Sequence, residues 1–219
     1  MPTAPEWPTA AAFVPSGGDL DALRNAAAGC RGCHLYENAT QTVFGRGAPD
    51  ARIVLVGEQP GDVEDQKGVP FVGPAGHLLV QALDEAGVDR ADVWVTNTVK
   101  HFKFTARGKR RIHATPDTFE VAACRPWLTA ELARLRPEVV VLLGATAGKA
   151  VFGPSFRVTQ SRGMPLDWPD IPELATAWEQ PPVALATIHP SAVLRAGDAR
   201  AEAYAGLVGD LRVAAGVLS

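Results

Sequence analysis

The 219-residue sequence predicts an α/β fold, a three-layer α/β/α sandwich built on a mainly parallel, four-stranded central sheet. Two observations support this class. Four short apolar runs rich in β-branched residues lack the alternation of half-exposed strands, so both of their faces are expected to be buried. Helical stretches separate these runs, as the crossover connections between parallel strands require.

The predicted strands point to where a ligand would bind, because ligands of such sheets lie at the carboxyl ends of the strands. The segments that follow the strands are GEQPG, Asn97 with a basic loop, GATAGK and HPS. GATAGK lacks the glycine spacing and the hydroxyl of a phosphate-binding loop, so its Lys149 is given no role. The predicted strands are 52–57, 93–99, 139–144 and 183–188.

Helix signals lie between and around the strands. Asp19 and Asp198 are predicted to be the N-caps of the first and last helices, and Pro116 suits the first turn of the third. Pro126 lies inside that third helix and is expected to kink or split it. The predicted helices cover residues 19–29, 75–87, 116–135 and 198–213.

The length suits one domain, which we expect to span residues 19–219 after a loose Pro/Ala/Gly-rich lead-in over residues 1–18. No apolar run reaches 18 residues, so a membrane span is not expected. The N-terminus lacks a charged region ahead of an apolar stretch, so we expect a cytoplasmic protein without a secretion signal.

The overall charge gives no sign of a nucleic-acid partner, because the formal net charge is −3 and the isoelectric point is about 6.0. Residues 100–111 differ, since they carry six basic side chains and no acid. Such a run alone is typical of a solvated loop, and a DNA contact needs support from elsewhere. The six are Lys100, Lys103, Arg107, Lys109, Arg110 and Arg111.

Three cysteines, an odd number, argue against a disulfide framework. Cys30-Arg-Gly-Cys33-His34 spells a c-type haem attachment pattern, but that chemistry belongs to exported proteins. A thioredoxin-like site does not fit either, because the pair precedes the first strand. Metal ligation is the remaining interpretation, with Cys124 as a third ligand.

A histidine would complete that metal site. His34 is sterically awkward because it adjoins Cys33, whereas His101 follows a strand and is within one loop and a helix of Cys124. Three cysteines and one histidine suit zinc or an iron–sulfur cluster, and spacing does not choose between them.

A dense acidic segment, GEQPGDVEDQKGVPFVGPAGHLL (57–79), begins where a strand ends and finishes on a helix. Such a turn directs backbone N–H groups at a phosphate, while Glu58 and Asp62 face the same cleft. Four acids beside Phe71 are more than a plain Gly/Pro loop explains.

This segment resembles the first motif of the bacterial and archaeal iron–sulfur uracil-DNA glycosylases, GE-A/S-PG…ED…G-PFVG-AG-LL. The resemblance continues through TN (96–97), the three cysteines, ACRPWL and HPS (189–191), and covers roughly residues 30–195. It implies the fold of that family and a base-excision-repair enzyme that removes uracil from single- and double-stranded DNA. We expect single-stranded DNA to be preferred and the protein to be a monomer.

Two departures from that family matter. His101 stands where most members have a cysteine after TN-x-V-K, and the basic loop carries KRRIH (109–113). Together with Gln59 in GEQPG, these resemble the UdgX class, which becomes covalently linked to uracil-containing DNA through that loop histidine. The resemblance implies a 4Fe–4S cluster held by Cys30, Cys33, His101 and Cys124, and a DNA-facing basic loop.

The resemblance also implies a uracil pocket. Phe71 would stack on a flipped-out uracil, and Asn97 would pair with its edge, because an amide offers a donor and an acceptor. His189 would donate to uracil O2 as negative charge builds on the leaving base. The remaining substrate contacts are expected from Asp62, Arg111, Ser191 and the N–H groups of Gly61 and Gly76.

Capture of the sugar is assigned to His113, with Glu58 orienting the imidazole or accepting its proton. Gln59 stands where related glycosylases have an aspartate that directs water, so water would be poorly activated here. Two alternatives stay open. One is a conventional turnover glycosylase whose His113 only touches phosphate, and the other is a non-catalytic, metal-containing DNA-binding module.

Overall fold

A computed structural model describes residues 7–218, and in it the four predicted strands form adjacent parallel strands of one sheet. The strands are β1 Arg46–Gly47, β2 Ile53–Gly57, β3 Val93–Asn97, β4 Phe104–Arg107, β5 Arg110–His113, β6 Val139–Leu143 and β7 Val183–Thr187. Five of them form the sheet, in the order β1-β3-β2-β6-β7. Strands β4 and β5 form a separate hairpin.

The sheet has one strand more than the sequence predicts. The two-residue strand β1 pairs antiparallel with β3 at the edge of the sheet, with Arg46 opposite Val95 and Gly47 opposite Trp94. A two-residue strand has no periodicity to detect, so only the fold reveals it.

The predicted basic loop is wrong in part, because residues 104–113 form an antiparallel hairpin with Phe104 opposite His113. Gly108 has a φ of 59°, the left-handed conformation that a two-residue hairpin turn needs. The charges in the segment obscured this strand pattern. The hairpin places His113 on its final strand position, next to the body of the protein.

The helices begin mostly where the sequence predicts. The Asp19 side chain accepts a hydrogen bond from the Ala22 N–H at 2.9 Å, which confirms it as an N-cap. Asp117 and Glu120 form a capping box at the start of the third predicted helix, which begins at Thr118, so Pro116 precedes this helix and is not in its first turn as predicted. The helices are α1 Leu20–Ala27, α2 Asp62–Lys67, α3 Pro74–Ala86, α4 Thr118–Leu135, α5 Ala145–Phe152, α6 Val158–Ser161, α7 Pro190–Leu194 and α8 Arg200–Val217.

Two helix predictions are corrected. Pro126 does not split α4, because the helix is held in the core on both sides of the proline, by the buried Ala123 and Cys124 before it and by Trp127 and Leu128 after it. Asp198 does not cap α8, since it lies in a 3-10 turn and the helix begins at Arg200.

The sheet separates two apolar clusters, as a three-layer sandwich requires. Alternate residues of β2 enter opposite clusters: Val54 and Val56 pack with α1, α4 and α5, whereas Ile53 and Leu55 pack with α3 and α8. Of the predicted lead-in, residues 1–6 lie outside the described chain, and Ala10 is buried in the first cluster. Within residues 7–218, no helix has the length and apolarity to cross a membrane.

Candidate active site and metal centre

The carboxyl ends of β2 and β3 bring the acidic segment and Asn97 together. Gly57, the last residue of β2, lies so close to both that a Cβ there would be 2.3 Å from Asn97 Oδ1 and 2.7 Å from Phe71 Cζ. The missing side chain therefore lets the amide and the ring converge. The Phe71 ring also lies 6.2 Å from the His189 ring, centre to centre.

Phe71 is held in an unusual backbone conformation, with a φ of 55°. Gly76, in the first turn of α3, packs directly against it, since a Cβ there would lie 1.8 Å from the Phe71 carbonyl oxygen. Phe71 is half-buried, so part of this residue remains accessible, and its predicted stacking on uracil stays a prediction. Gly76 thus supports the Phe71 backbone, and its predicted phosphate contact stays a prediction.

The backbone of Asn97 is held by a buried network of charged and polar side chains. The Lys100 ammonium donates to the Asn97 carbonyl at 2.7 Å and forms an ion pair with Glu131, and both charged side chains are fully buried. The Thr96 hydroxyl and the Trp94 indole N–H also donate to Glu131. Lys100 is therefore not part of a DNA-facing surface, which corrects its grouping with the basic loop.

His189 is the N-cap of α7, and its Nδ1 accepts a hydrogen bond from the Ser191 N–H at 3.1 Å. Burial, together with the positive charge of Arg195 and the nearby imidazole of His113, lowers the pKa of His189 to about 4. The imidazole is therefore neutral near pH 7, and because Nδ1 accepts, the proton is on Nε2. The Ser191 hydroxyl, predicted to touch phosphate, lies 2.8 Å from the same Nδ1.

Glu58 and His113 form the pair that the sequence predicts. His113 Nε2 lies 3.3 Å from Glu58 Oε1, while the other carboxylate oxygen accepts a hydrogen bond from the Thr146 hydroxyl. The His113 side chain is 48% exposed, against 22% for Glu58, so the imidazole has an open side. Thr146 was missed, although GATAGK follows a strand end and its position could have suggested a role.

Arg111 holds the hairpin to the body of the protein. Its guanidinium donates to Asp62 at 2.5 Å and to the fully buried Asp65 at 2.6 Å, and it lies over the rings of Phe102 and Phe104. Asp62 and Arg111, both predicted to contact substrate, are therefore paired with each other. Through these two ion pairs Arg111 ties the hairpin to α2.

Half of the basic segment is used inside the protein. Lys100 pairs with Glu131, Arg111 with the two aspartates, and Lys103 with Glu120 at 2.7 Å. The other three side chains are exposed, and no carboxylate within residues 7–218 forms an ion pair with them. The exposed cations are Arg107, Lys109 and Arg110.

Two further predicted residues lie at the base of this site. Gln59 is buried, and its amide contacts the backbone at the open end of the hairpin. Gly61 is the N-cap of α2, and its predicted phosphate contact stays a prediction.

The three cysteines are free and buried, and all three belong to the same apolar cluster on one side of the sheet. Cys124 Sγ accepts the Lys100 N–H at 3.3 Å, and Cys30 Sγ accepts the indole N–H of Trp127, one helical turn after Cys124, at 3.2 Å. Burial raises the pKa of Cys124 to about 12, and the charges of Cys33 and Cys30 add to the rise. N–H donors to sulfur are typical of thiolates that ligate iron–sulfur clusters.

His101 has the orientation of a ligand. Burial lowers its pKa to about 4, so the imidazole is neutral. The Thr42 hydroxyl donates to the Ala27 carbonyl at 2.8 Å, so it accepts from His101 Nε2 at 3.1 Å and leaves the Nδ1 lone pair free. His34 instead lies 3.1 Å from Glu120, in keeping with its exclusion as a ligand. Three thiols and an imidazole are donors of the types that ligate iron–sulfur clusters, although within residues 7–218 no three such side chains are placed to hold a metal ion.

Comparisons with known proteins agree on one family. Residues 44–212 match the model of the uracil DNA glycosylase superfamily. The type-4 uracil-DNA glycosylase of Thermotoga maritima is 41% identical over 76% of this chain and 78% of its own length. The Sulfurisphaera tokodaii enzyme of the same name is 34% identical over 80% and 76%, and that of Archaeoglobus fulgidus is 41% identical over 61% and 63%.

Proposed function

Since the chain belongs to the uracil DNA glycosylase superfamily and is a uracil-DNA glycosylase, we propose a further step in its reaction. After removing uracil, the protein becomes covalently linked through His113 to the sugar that carried the base. Uracil excision makes it a DNA-repair hydrolase. The observation that carries the covalent step is the 3.3 Å pairing of His113 with Glu58 beside the uracil-binding residues. A half-exposed imidazole held by a carboxylate is the arrangement of an activated nucleophile.

Excision begins with a uracil outside the base stack, because a base that is paired and stacked in a duplex cannot reach the residues of the site. Phe71 stacks on the base and Asn97 pairs with its edge, which rejects cytosine because its exocyclic amine reverses one partner. His189 donates from Nε2 to uracil O2. A neutral imidazole suits this role, since its proton is already directed away from Ser191.

The bond between C1′ and uracil N1 breaks, and its electron pair leaves with the base as the uracil anion. C1′ becomes an oxocarbenium ion, as in glycoside hydrolysis. The nitrogen of His113 that faces away from Glu58 donates its lone pair to C1′ and forms the new bond. The positive charge then rests on the imidazole, where Glu58 stabilises it or takes the proton from the other nitrogen.

We further propose that Cys30, Cys33, His101 and Cys124 hold a 4Fe–4S cluster. Such a cluster would tie the segment around Cys30 to α4 and to the residue after Lys100, and so would have a structural role beside the pocket. The free, buried thiols and the orientation of His101 by Thr42 support this assignment. Iron content and absorbance at about 400 nm would test the cluster assignment. A colourless protein with stoichiometric zinc would contradict it and indicate a zinc site instead.

The exposed basic side chains of the hairpin support DNA binding near His113. A preference for single-stranded DNA, a monomeric state and a cytoplasmic location stay predictions. Binding studies with matched single- and double-stranded uracil DNA and a mass measurement in solution would test the first two.

The decisive experiment is His113→Ser, with uracil release and protein–DNA adduct measured on the same uracil-containing single strand. The adduct should disappear from denaturing gels, while uracil release continues because His113 acts after the bond breaks. His77→Ser is the matched control, since His77 is exposed on α3 outside the site, and this variant should form adduct normally.

The alternatives give other results. A wild-type protein that releases uracil and leaves only free abasic DNA is a conventional turnover glycosylase. A protein that binds uracil-containing DNA without releasing base is a binding module. A His113→Ser variant that still forms the adduct would assign the nucleophile to another residue.

A further inference from the structure

We propose that Gln59 is a positioning residue that clamps the His113 hairpin, and that this clamp sets how often the imidazole rather than water captures the sugar. The second half of this inference rests on the proposed covalent function. In this proposal Gln59 acts by holding the hairpin that carries His113. This role is additional to the lack of an aspartate that would activate water at position 59.

The contacts close both ends of the hairpin at once. Gln59 Nε2 donates to the carbonyl oxygens of Lys103 and Ala114, each at 3.1 Å, and Gln59 Oε1 accepts the Lys103 N–H at 3.0 Å. Lys103 directly precedes β4 and Ala114 directly follows β5. One side chain thus binds the residue at which the hairpin leaves the body and the residue at which it returns.

The chemistry of the side chain fits this task. A primary amide has two N–H donors and one carbonyl acceptor, and here all three functions are used. Gln59 is only 7% exposed, so it has no spare group directed at water or DNA. A glutamate of the same length would lack both donors and would direct an oxygen at two carbonyl oxygens.

The position in the chain links the clamp to the reaction. Gln59 follows Glu58, and Ala114 follows His113, so the contact between residues 59 and 114 lies one residue away from the Glu58–His113 pair. Without it, the hairpin keeps the ion pairs of Arg111 and Lys103 but loses the hydrogen bonds that hold residues 103 and 114 to Gln59, one residue from the nucleophile. The imidazole would then be near C1′ for less of the time, and water would capture more of the sugar.

Gln59→Met separates this clamp from the water-activation explanation. Methionine has a similar length, brings no carboxylate and makes none of the three hydrogen bonds. If Gln59 matters only because it is not an acid, the variant should form adduct as the wild type does. If it is a clamp, the share of excised sites that become adduct should fall about tenfold, while the rate of uracil release changes less than about threefold.

Two measurements are made on Gln59→Met, Gln59→Glu and the control Gln160→Met, whose residue is exposed on α6. The first is the ratio of adduct to free abasic site. The second is amide hydrogen exchange over residues 103–114 in the protein without DNA, which should accelerate in both Gln59 variants and not in the control.

The outcomes are distinguishable. Unchanged exchange in the hairpin overturns the clamp, whatever the products. Faster exchange with an unchanged adduct ratio overturns its role in capture. If the wild type forms no adduct, the proposed covalent function fails, and the exchange measurement alone decides whether Gln59 holds the hairpin. If Gln59→Met does not fold, Gln59→Ala, which also brings no carboxylate and makes none of the three hydrogen bonds, gives the same two measurements.

Discussion

The groups assigned to excision and the group assigned to capture lie on unlike supports. Asn97 is the last residue of β3 and His189 follows β7 by two residues, and these two strands are almost wholly buried. His113 ends the two-stranded hairpin, whose residues are mostly exposed and which is not part of the sheet. The sheet is fixed by apolar packing, and the hairpin is fixed by side chains such as Arg111 and Gln59.

Because the two supports differ, we expect that substitutions can alter uracil excision and capture of the sugar separately. Positions built on a packed core move little, whereas a segment with few buried apolar contacts opens more easily. Changes to the sheet support should therefore affect stability and excision together. Changes to the hairpin should alter the product and leave excision nearly intact.

The largest expected effect comes from breaking the sheet support with Lys100→Met. The change leaves Glu131 buried without its cation, and such a loss typically costs about 3–5 kcal/mol of unfolding free energy. Urea denaturation would measure it, with the exposed Lys149→Met as control. Adding Glu131→Leu should restore much of the stability, and a Lys100→Met loss below about 1 kcal/mol would contradict the network.

The next effect tests chemistry on the same support. His189→Ala removes the donor to uracil O2 and should slow uracil release by about 10²–10³-fold. The adduct should appear at the same slowed rate, because capture follows excision. His77→Ala is the control, and an adduct that forms as fast as in the wild type would contradict this order of steps.

A smaller effect concerns the hairpin surface. Each phosphate contact on single-stranded DNA contributes about 0.7 to the slope of log affinity against log salt. Replacing Arg107, Lys109 and Arg110 with methionine should lower the magnitude of the slope by about 2, because three contacts of about 0.7 each are lost. Filter binding would measure the slope, and the control is Arg90→Met, at the opposite end of β3. An unchanged slope would remove the hairpin from the DNA interface.

The smallest effect is on pH dependence. The folded-state pKa of His189 lies near 4, below the usual 6.5, so its neutral form persists as the pH falls through 6.5. Single-turnover uracil release by His113→Ser should therefore stay level from pH 7 to about 5 and fall severalfold only near 4. A decline centred near pH 6.5 would mean that His189 lies in a more solvated environment than the fold indicates.

Much of the framework was predictable from the sequence because burial leaves a pattern in composition. Apolar runs without alternation located the four parallel strands, and Asp19 marked the start of α1 by its cap chemistry. The hairpin was not predictable, because its charged strands have no apolar period. The predicted split of α4 at Pro126 was wrong for a related reason. Helix propensity includes the cost of the lost hydrogen bond but not the stabilisation from the buried face of α4.

The amino-acid sequence was sufficient to predict the family, the order of the four central strands and the residue types at the ends of those strands. How these residues are used depends on the tertiary structure. Lys100 and Arg110 look alike in the sequence, yet one is buried against Glu131, 31 positions away, and the other is exposed. Likewise, only folding brings Gln59 to Lys103 and Ala114. Hydrogen bonds and ion pairs depend on distances of a few ångströms between residues far apart in the chain, and such distances exist only once the core has packed.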